Sequence, residues 1–429
     1  MTGDDGRPAS LLERRARLLG ADAPLFYERP IHVVRGEDVW LHDAEGRRYL
    51  DAYNNTAHVG HGHPRVVRAL CEQAGVLNTH TRYLHTGILD YVERLTATFD
   101  PGLSTAILTC TGSEANDVAL RMAQAATGRL GIVATDATYH GNTALVSQLS
   151  TLIPSAGERA PYVRLVRSPD VLREPAPGAA AEAFVQGMRD AVADLDRAGF
   201  GTAAFILCPF LANEGFPNLD DRALRAAVEI VREAGGVVVA DEVQPGFGRL
   251  GSHMWGHQRA GFVPDIVTLG KPMGNGHPVA GVVTTAPILD AFRGAFRYFN
   301  TFGGNPVSCA VANAVLEVIA EEGLVANAAA VGGHAMELMR RLEARTPRIG
   351  EVRGAGLFIG AEIVADDAAR TPDPDLAARL VEGMRDRGVL IGRAGLHDNV
   401  LKIRPPLTFT RQNAEFLVDT LAEVLEAAA

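Results

Sequence analysis

The sequence predicts an α/β fold in which a largely parallel β-sheet is covered by helices on both faces. Three observations predict it. Apolar, β-branched runs such as Val237–Ala240 and Ile266–Leu269 are continuous rather than alternating, as strands buried on both faces require. Between such runs, apolar residues recur at helical spacing. Glycines, as at Gly235-Gly236, mark the change from one pattern to the other.

In chain order, Ile31 to Tyr53 reads as strands and turns, with Trp40–Asp43 followed by Glu45-Gly46-Arg47 and Arg48–Leu50. Thr105–Leu108 is a short buried strand that feeds Thr111-Gly112-Ser113-Glu114, after which Ala115, Val118, Met122 and Ala126 mark one helical face. Leu130–Thr135 is strand-like. Residues 152 to 183, with Glu174-Pro175-Ala176-Pro177-Gly178 among them, read as a surface excursion. Ala226–Ala234 is helical, Gly235-Gly236 stops it, and Val237–Ala240 runs straight into Asp241. Asp265–Gly270 ends at Lys271, Val279–Thr285 adds a strand and Ser308–Glu321 a helix. Leu357–Val364 and Val400–Ile403 are further strands. The two ends are expected to form one smaller domain, residues 1–60 with 310–429, beside a larger domain of residues 61–309.

Composition narrows the function. The 429 residues, 47% of them hydrophobic, are ample for a large core. No run approaches the roughly 18 apolar residues of a membrane span. Met1–Asp5 has neither the basic nor the apolar part of a signal peptide, so a cytoplasmic protein is expected. Cys71, Cys110, Cys208 and Cys309 form no CxxC pair, which argues against a disulfide framework and a zinc knuckle. A net charge of −10 without a basic run argues against nucleic acid and anionic membranes. A small molecule is the expected partner.

Chemistry that needs an amine has few places to occur, because only two of the 41 lysine and arginine residues are lysine, Lys271 and Lys402. Arginine-rich codon usage is the bland explanation. Lys271, however, ends a buried strand, where desolvation removes charge and makes the amine nucleophilic. Asp241 ends another, at the edge of the sheet where α/β folds bind ligands. Its structural alternative is an ion pair with Arg249. Thr111-Gly112-Ser113 opens a helix whose free N–H groups suit a small anion, although the same pattern caps helices that bind nothing. A lysine for an aldehyde, an acid for a pyridine nitrogen and a turn for a phosphate together suit pyridoxal phosphate. Tyr139 is a candidate to stack on its ring.

Gly60-His61-Gly62-His63-Pro64, Thr111–Asn116, Tyr139-His140-Gly141, Asp241–Gly248, Gly270-Lys271 and Thr301–Pro306 occur in one order. In these motifs the chain, from about Phe26 to its C-terminus, resembles the class III aminotransferases of the fold-type I pyridoxal phosphate enzymes. The resemblance implies a seven-stranded, mostly parallel sheet in the large domain and an α+β small domain. It implies that Lys271 bonds the cofactor aldehyde and moves the substrate proton. It places Asp241 on the ring nitrogen, Tyr139 and Val243 on opposite ring faces, and His140 beside Tyr139. Gln244 is implied at the ring hydroxyl, with Gly112 and Ser113 at the phosphate. Thr301 would reach the phosphate of a neighbouring subunit, so a homodimer with interfacial active sites is implied.

Tyr53–His61, Gly270–Pro278 and Asn300–Cys309 resemble, more narrowly, the branch that contains ethanolamine-phosphate phospho-lyase. Two departures bear on the reaction. Where typical members hold an arginine for the substrate carboxylate and a glutamate to pair with it, this chain has Lys402 and Asn213, with Glu214 one position on. A lone amine cannot grip a carboxylate by two parallel N–H bonds, although Arg404 is placed to compensate and Lys402 has a surface role as its alternative. In the other direction, Leu149–Pro154 lacks the lysine that the phospho-lyase branch carries there. The glutamate usual before a proline is also absent, at Cys208-Pro209. Transamination between a small polar primary amine and a keto acid or aldehyde is therefore the expected reaction, with phosphate elimination as the alternative. Tyr53, Asn54 and Arg82 are further candidates for substrate contact, Arg82 being equally suited to a structural ion pair.

Other classes fit less well. Gly354-Ala355-Gly356 is followed by strand-type residues instead of a helix, unlike a dinucleotide site. His58, His61 and His63 lack thiolate or carboxylate neighbours in sequence, so no metal is expected. A non-enzymatic pyridoxal phosphate-binding protein is the remote alternative.

Overall fold

The computed structural model describes residues 10–152, 157–365 and 368–428. Its centre is a seven-stranded sheet of strands β4 (Thr105–Thr109), β5 (Gly131–Thr135), β6 (Val163–Val166), β7 (Thr202–Leu207), β8 (Val237–Asp241), β9 (Ile266–Leu269) and β10 (Ala280–Thr284). The order across it is β4-β10-β9-β8-β7-β5-β6. Only β10 runs against its neighbours, so the sheet is mostly parallel, as expected. Every residue of β5, β7, β9 and β10 is buried, which is why these runs read as continuously apolar. Helix Gly112–Thr127 lies on one face with Ala115, Val118, Ala119 and Met122 turned inward, and Asp221–Glu233 on the other with Leu224, Val228 and Val231.

One expectation is corrected. The stretch 152–183 is not wholly a surface excursion: it contains β6, which pairs in parallel with β5 at the sheet edge, and the start of helix Ala179–Arg197. With two of its four residues buried, this short edge strand carries too little apolar signal to stand out from its proline- and glycine-rich flanks.

The chain ends meet. Strands β1 (Val33–Glu37), β2 (Trp40–Asp43) and β3 (Arg48–Asp51) continue into β13 (Val389–Leu390), which pairs with β3 through Val389 and Leu50. A third sheet joins β11 (Ile349–Ala355), β12 (Phe358–Ile363), β15 (Val400–Ile403) and β14 (Gly392–Ala394) in that order. Gly354–Gly360 belongs to the β11–β12 hairpin, so strand residues follow its glycines. This sheet brings Lys402 and Arg404 over the C-terminal ends of β7, β8 and β9, where the chemistry gathers. No helix among the described residues is long and apolar enough to cross a membrane.

Candidate active site

Parallel strands that end side by side deliver their next residues to one place. The residues following β4, β5, β7 and β9, with Asp241 closing β8, line a cavity of about 360 Å³ that holds Gly112, Ser113, Tyr139, His140, Cys208, Asp241, Val243, Gln244 and Lys271. Lys271 and Asp241, 30 positions apart in sequence, face the same space because β8 and β9 are neighbours.

Asp241 is buried and anchored. Its Oδ1 accepts the Val243 N–H at 3.0 Å, while Oδ2 meets Asn116 Nδ2 at 3.0 Å and His140 Nδ1 at 2.7 Å. Arg249 is not its partner: that guanidinium binds the carbonyls of Leu357 and Pro405 and the ring of His58. A buried carboxylate with these partners and no arginine or lysine ion pair among the described residues suits a cationic ligand nitrogen. Sequence reasoning missed Asn116, whose signal was a buried amide on the apolar face of helix Gly112–Thr127, next to Ala115.

Anion-binding geometry sits at the opposite end. Thr111 caps the helix by accepting the Glu114 N–H, and the Gly112 and Ser113 amides have no hydrogen-bond partner among the described residues. The glycines are there for closeness. A Cβ on Gly141 would fall 2.5 Å from Ser113 Oγ, and one on Gly112 3.1 Å from Val243 Cγ2. Small residues thus keep an open cradle between the helix start and Val243.

Lys271 points its amine into the cavity, with Nζ 5.9 Å from the centre of the Tyr139 ring. Solvent reaches it through the open mouth, yet surrounding protein still lowers its pKa, the Arg404 charge adds to that, and Asp241 partly opposes it. Tyr139 is half-exposed and forms a wall. Gln244 is held at both ends, donating to Asn213 at 3.2 Å and accepting from Arg404.

A second cavity of about 730 Å³ continues past Lys271, Tyr139 and Gln244 to Tyr53, Leu152, Asn213, His397, Lys402 and Arg404. Lys402 is no surface lysine. It is buried, donates to Asn213 Oδ1 at 3.1 Å and lies 5.7–5.8 Å from the rings of Phe358 and Phe216. Neither Lys402 nor Arg404 forms an ion pair among the described residues. Burial and the Arg404 charge push the Lys402 amine well below its ordinary pKa.

That burial has a measurable consequence. Lys402→Met is expected to raise stability by about 1–3 kcal/mol at neutral pH, because it removes a buried amine that folding obliges either to give up its proton or to keep a charge without a counter-ion, while Asn213 Oδ1 keeps its bond from Gln244. The folded pKa lies below the unfolded one, so the contribution of Lys402 falls as pH drops through the folded value. The gap to the variant therefore closes above the ordinary lysine value of 10.5. Melting curves across that range check it, and a less stable variant at neutral pH contradicts it.

Not every candidate converges. Asn54 lines neither cavity, and its N–H is bound to Asp51. Arg82 is exposed and sits 3.7 Å over the Phe299 ring, outside both cavities, and forms no ion pair among the described residues. Thr301 is exposed and lines neither cavity. The histidines diverge as well: His58 bonds Phe247 O and Arg249, His61 bonds Asp51 and His63 bonds Glu322. Among the described residues no group of three or more could hold a metal.

The family described as aminotransferase class-III matches residues 26–425. The chain belongs to the class III aminotransferase family. An alanine--glyoxylate aminotransferase 2-like protein of Drosophila melanogaster is 42% identical over 420 residues, covering 95% of this chain and 85% of that one. A phospholyase from Arthrobacter, solved in complex with phosphoethanolamine, superposes with a TM-score of 0.95 at 44% identity, over 97% of this chain and all of that one. An amine transaminase from an uncultivated Pseudomonas species, in its pyridoxal phosphate-bound form, superposes at 0.86 with 28% identity over 94% of this chain and 96% of that one. This class III aminotransferase relative is thus a pyridoxal phosphate-dependent enzyme, and its cavity fits that cofactor: an amine, a buried carboxylate, an aromatic wall and an open amide cradle.

Proposed function

We propose that the protein transfers the amino group of a small polar primary amine, one without a carboxylate on the amine carbon, to a keto acid or aldehyde. The observation that carries this is the far wall of the second cavity. Lys402 is a point donor already held by Asn213, and the Arg404 fork is engaged by Tyr53 O and Gln244, so a two-pronged carboxylate grip is not free. Positive charge remains there without a counter-ion, which suits a polar or anionic tail.

Pyridoxal phosphate, when bound, supplies an electron sink for the carbanion left after Cα deprotonation. Gly112 and Ser113 would hold its phosphate, and Asp241 would keep a proton on the ring nitrogen. Lys271 would bond its aldehyde. Tyr139 and Val243 would confine the ring from either side, and Gln244 would meet its hydroxyl. The Lys271 amine would serve as the base that takes the Cα proton and as the acid that delivers it on the far side of the substrate nitrogen. Tyr53, Lys402 and Arg404 orient the substrate tail.

Phosphate elimination is the second reading, favoured by the same uncompensated charge and by the ligand of the Arthrobacter relative. Against it, the wall includes apolar Leu152, from the stretch that lacks the lysine expected of that branch. Purified protein given a panel of amines, with and without phosphate esters, separates the two. Transamination leaves a pyridoxamine spectrum that a keto acid reverses, whereas free phosphate without that spectrum establishes elimination.

A homodimer belongs to this proposal. Tyr83, Leu84 and Phe302 are exposed apolar residues, Leu84 fully so, and Phe302 adjoins Thr301, which lacks a role in its own subunit. Leu84→Asp is expected to shift the protein toward monomer in sedimentation and to lower cofactor retention together with it. A variant that stays dimeric and loaded would remove Leu84 from the interface.

A further inference from the structure

A second buried cluster begins one residue beyond Asp241. The Glu242 carboxylate is fully buried and holds the start of helix Gly256–Ala260: Oε2 accepts the Gly256 N–H at 2.8 Å, and Oε1 accepts the His257 N–H at 2.8 Å. Oε1 also meets His257 Nδ1 at 2.9 Å, while the other ring nitrogen, Nε2, meets Asp100 Oδ2 at 3.1 Å. The His257 ring is buried and lies parallel to the Phe99 ring, 6.2 Å from it between centres. Trp255 Nε1 donates to Thr98 O at 3.1 Å, so the helix start and the turn 98–100 are joined there as well. Of the three ionisable side chains only Asp100 reaches solvent, where it lines a surface groove of about 650 Å³.

We infer that His257 is a protonation-gated clamp: as an imidazolium it bridges Glu242 to Asp100 and pins the segment that follows β8 to the turn 98–100, and loss of its second proton frees Asp100. Counting hydrogens calls for the charged ring. Both carboxylates are acceptors when ionised, a neutral imidazole has one N–H to give, and only the doubly protonated ring has a donor for each. Charge points the same way. Neither Glu242 nor Asp100 pairs with an arginine or lysine among the described residues, so His257 is the cation left to a fully buried carboxylate.

Asp100 is the contact that yields on deprotonation, because water can replace the ring there, whereas Glu242 keeps its two backbone N–H bonds. Burial opposes a charge on His257, but Glu242 and then Asp100 outweigh it and raise the pKa of the ring above its ordinary 6.5. The other charged groups packed nearby are Arg225, Glu229 and Arg232 of helix Asp221–Glu233, with His253, which share the groove with Asp100. Arg232 is paired with Glu229 and Asp265, and Arg225 donates to Ala260 O. On the helix of His257 itself, Arg259 lies over the Phe210 ring. Because the folded value exceeds the unfolded one, the clamp contributes fully below 6.5 and is lost as pH rises through the folded value.

This inference is independent of the role proposed for Asp241, since its test reads histidine signals and melting temperatures and not turnover. In full-length protein loaded with pyridoxal phosphate and carrying isotope-labelled histidine, the His257 ring-nitrogen NMR signals are identified by their loss in His257→Gln. They are followed from mildly acidic to alkaline pH, with melting temperatures of the same samples. Both nitrogens are expected to carry protons at pH 6.5, and Asp100→Asn is expected to move the loss of the second proton to lower pH. The melting-temperature gap between the unaltered protein and His257→Gln is expected to be widest below 6.5 and to narrow as that proton leaves. A ring with one bare nitrogen at pH 6.5, a titration that ignores Asp100→Asn, or a gap of constant width each overturns the inference. Should His257→Gln not fold, Asp100→Asn carries the test alone: its own gap should narrow over the same range, and a constant gap overturns the clamp.

Discussion

Lys271→Ala is expected to lower turnover by at least ~10⁴-fold, the upper range for a positioned acid–base group, while leaving the fold intact. One amine performs two tasks there, bonding the cofactor and carrying the substrate proton. No other residue can replace it, because the second lysine of the chain is buried in β15 and bound to Asn213. Truncation removes an amine whose charge the site already disfavours, so melting temperature should hold or rise. The visible band of the cofactor–lysine bond should vanish at once. Adding a small external amine should restore part of the rate, since the truncated side chain leaves room in the cavity. A variant with normal turnover would require another group to do the chemistry.

How much of this was legible beforehand depends on where each signal lives. The central strands were legible because burial on both faces leaves continuous apolar runs, and a residue that ends such a run inherits its place at the sheet edge. Lys271 and Asp241 were singled out by that logic, joined for Lys271 by the scarcity of lysine in the chain. Edge strand β6 was not, since half of it faces solvent and its pattern is no stronger than that of a loop. The role of Asn116 escaped because a buried amide on a helix becomes informative only once its neighbours across the fold are known, here His140 and Asp241 from two other elements. Lys402 was visible as a departure from pattern, but its depth was not. Sequence places it in an apolar strand, while the Phe216 and Phe358 rings that enclose it come from segments about 186 and 44 positions away. Arg82 and Thr301 show the reverse limit: both are exposed and line neither cavity, Arg82 lying over the Phe299 ring, so a basic or hydroxyl residue near a motif is not by itself a site residue.

Asp241→Asn is expected to cost about 10²–10³-fold in turnover, the range seen when one preorganised electrostatic contact is removed from a reacting site. The substitution keeps the shape of the side chain. Its amide oxygen can still accept the Val243 N–H, but its NH2 then faces the Asn116 Nδ2 donor, so that bond is given up at a modest cost in stability while the fold survives. What disappears is the negative charge of a buried carboxylate, which makes a protonated ring nitrogen favourable beside it. Without that proton the ring draws electrons less strongly, and Cα deprotonation by Lys271 slows even though the lysine is untouched. The two substitutions should therefore differ in kind. Lys271→Ala loses the band and the rate together, whereas Asp241→Asn should keep a band, with an altered profile, and lose mainly the rate of proton removal. A deuterium-labelled Cα makes the distinction measurable, because the isotope effect on turnover should grow in Asp241→Asn as that step becomes limiting. An unchanged rate and isotope effect would mean that the buried carboxylate does not touch the reacting ring at all.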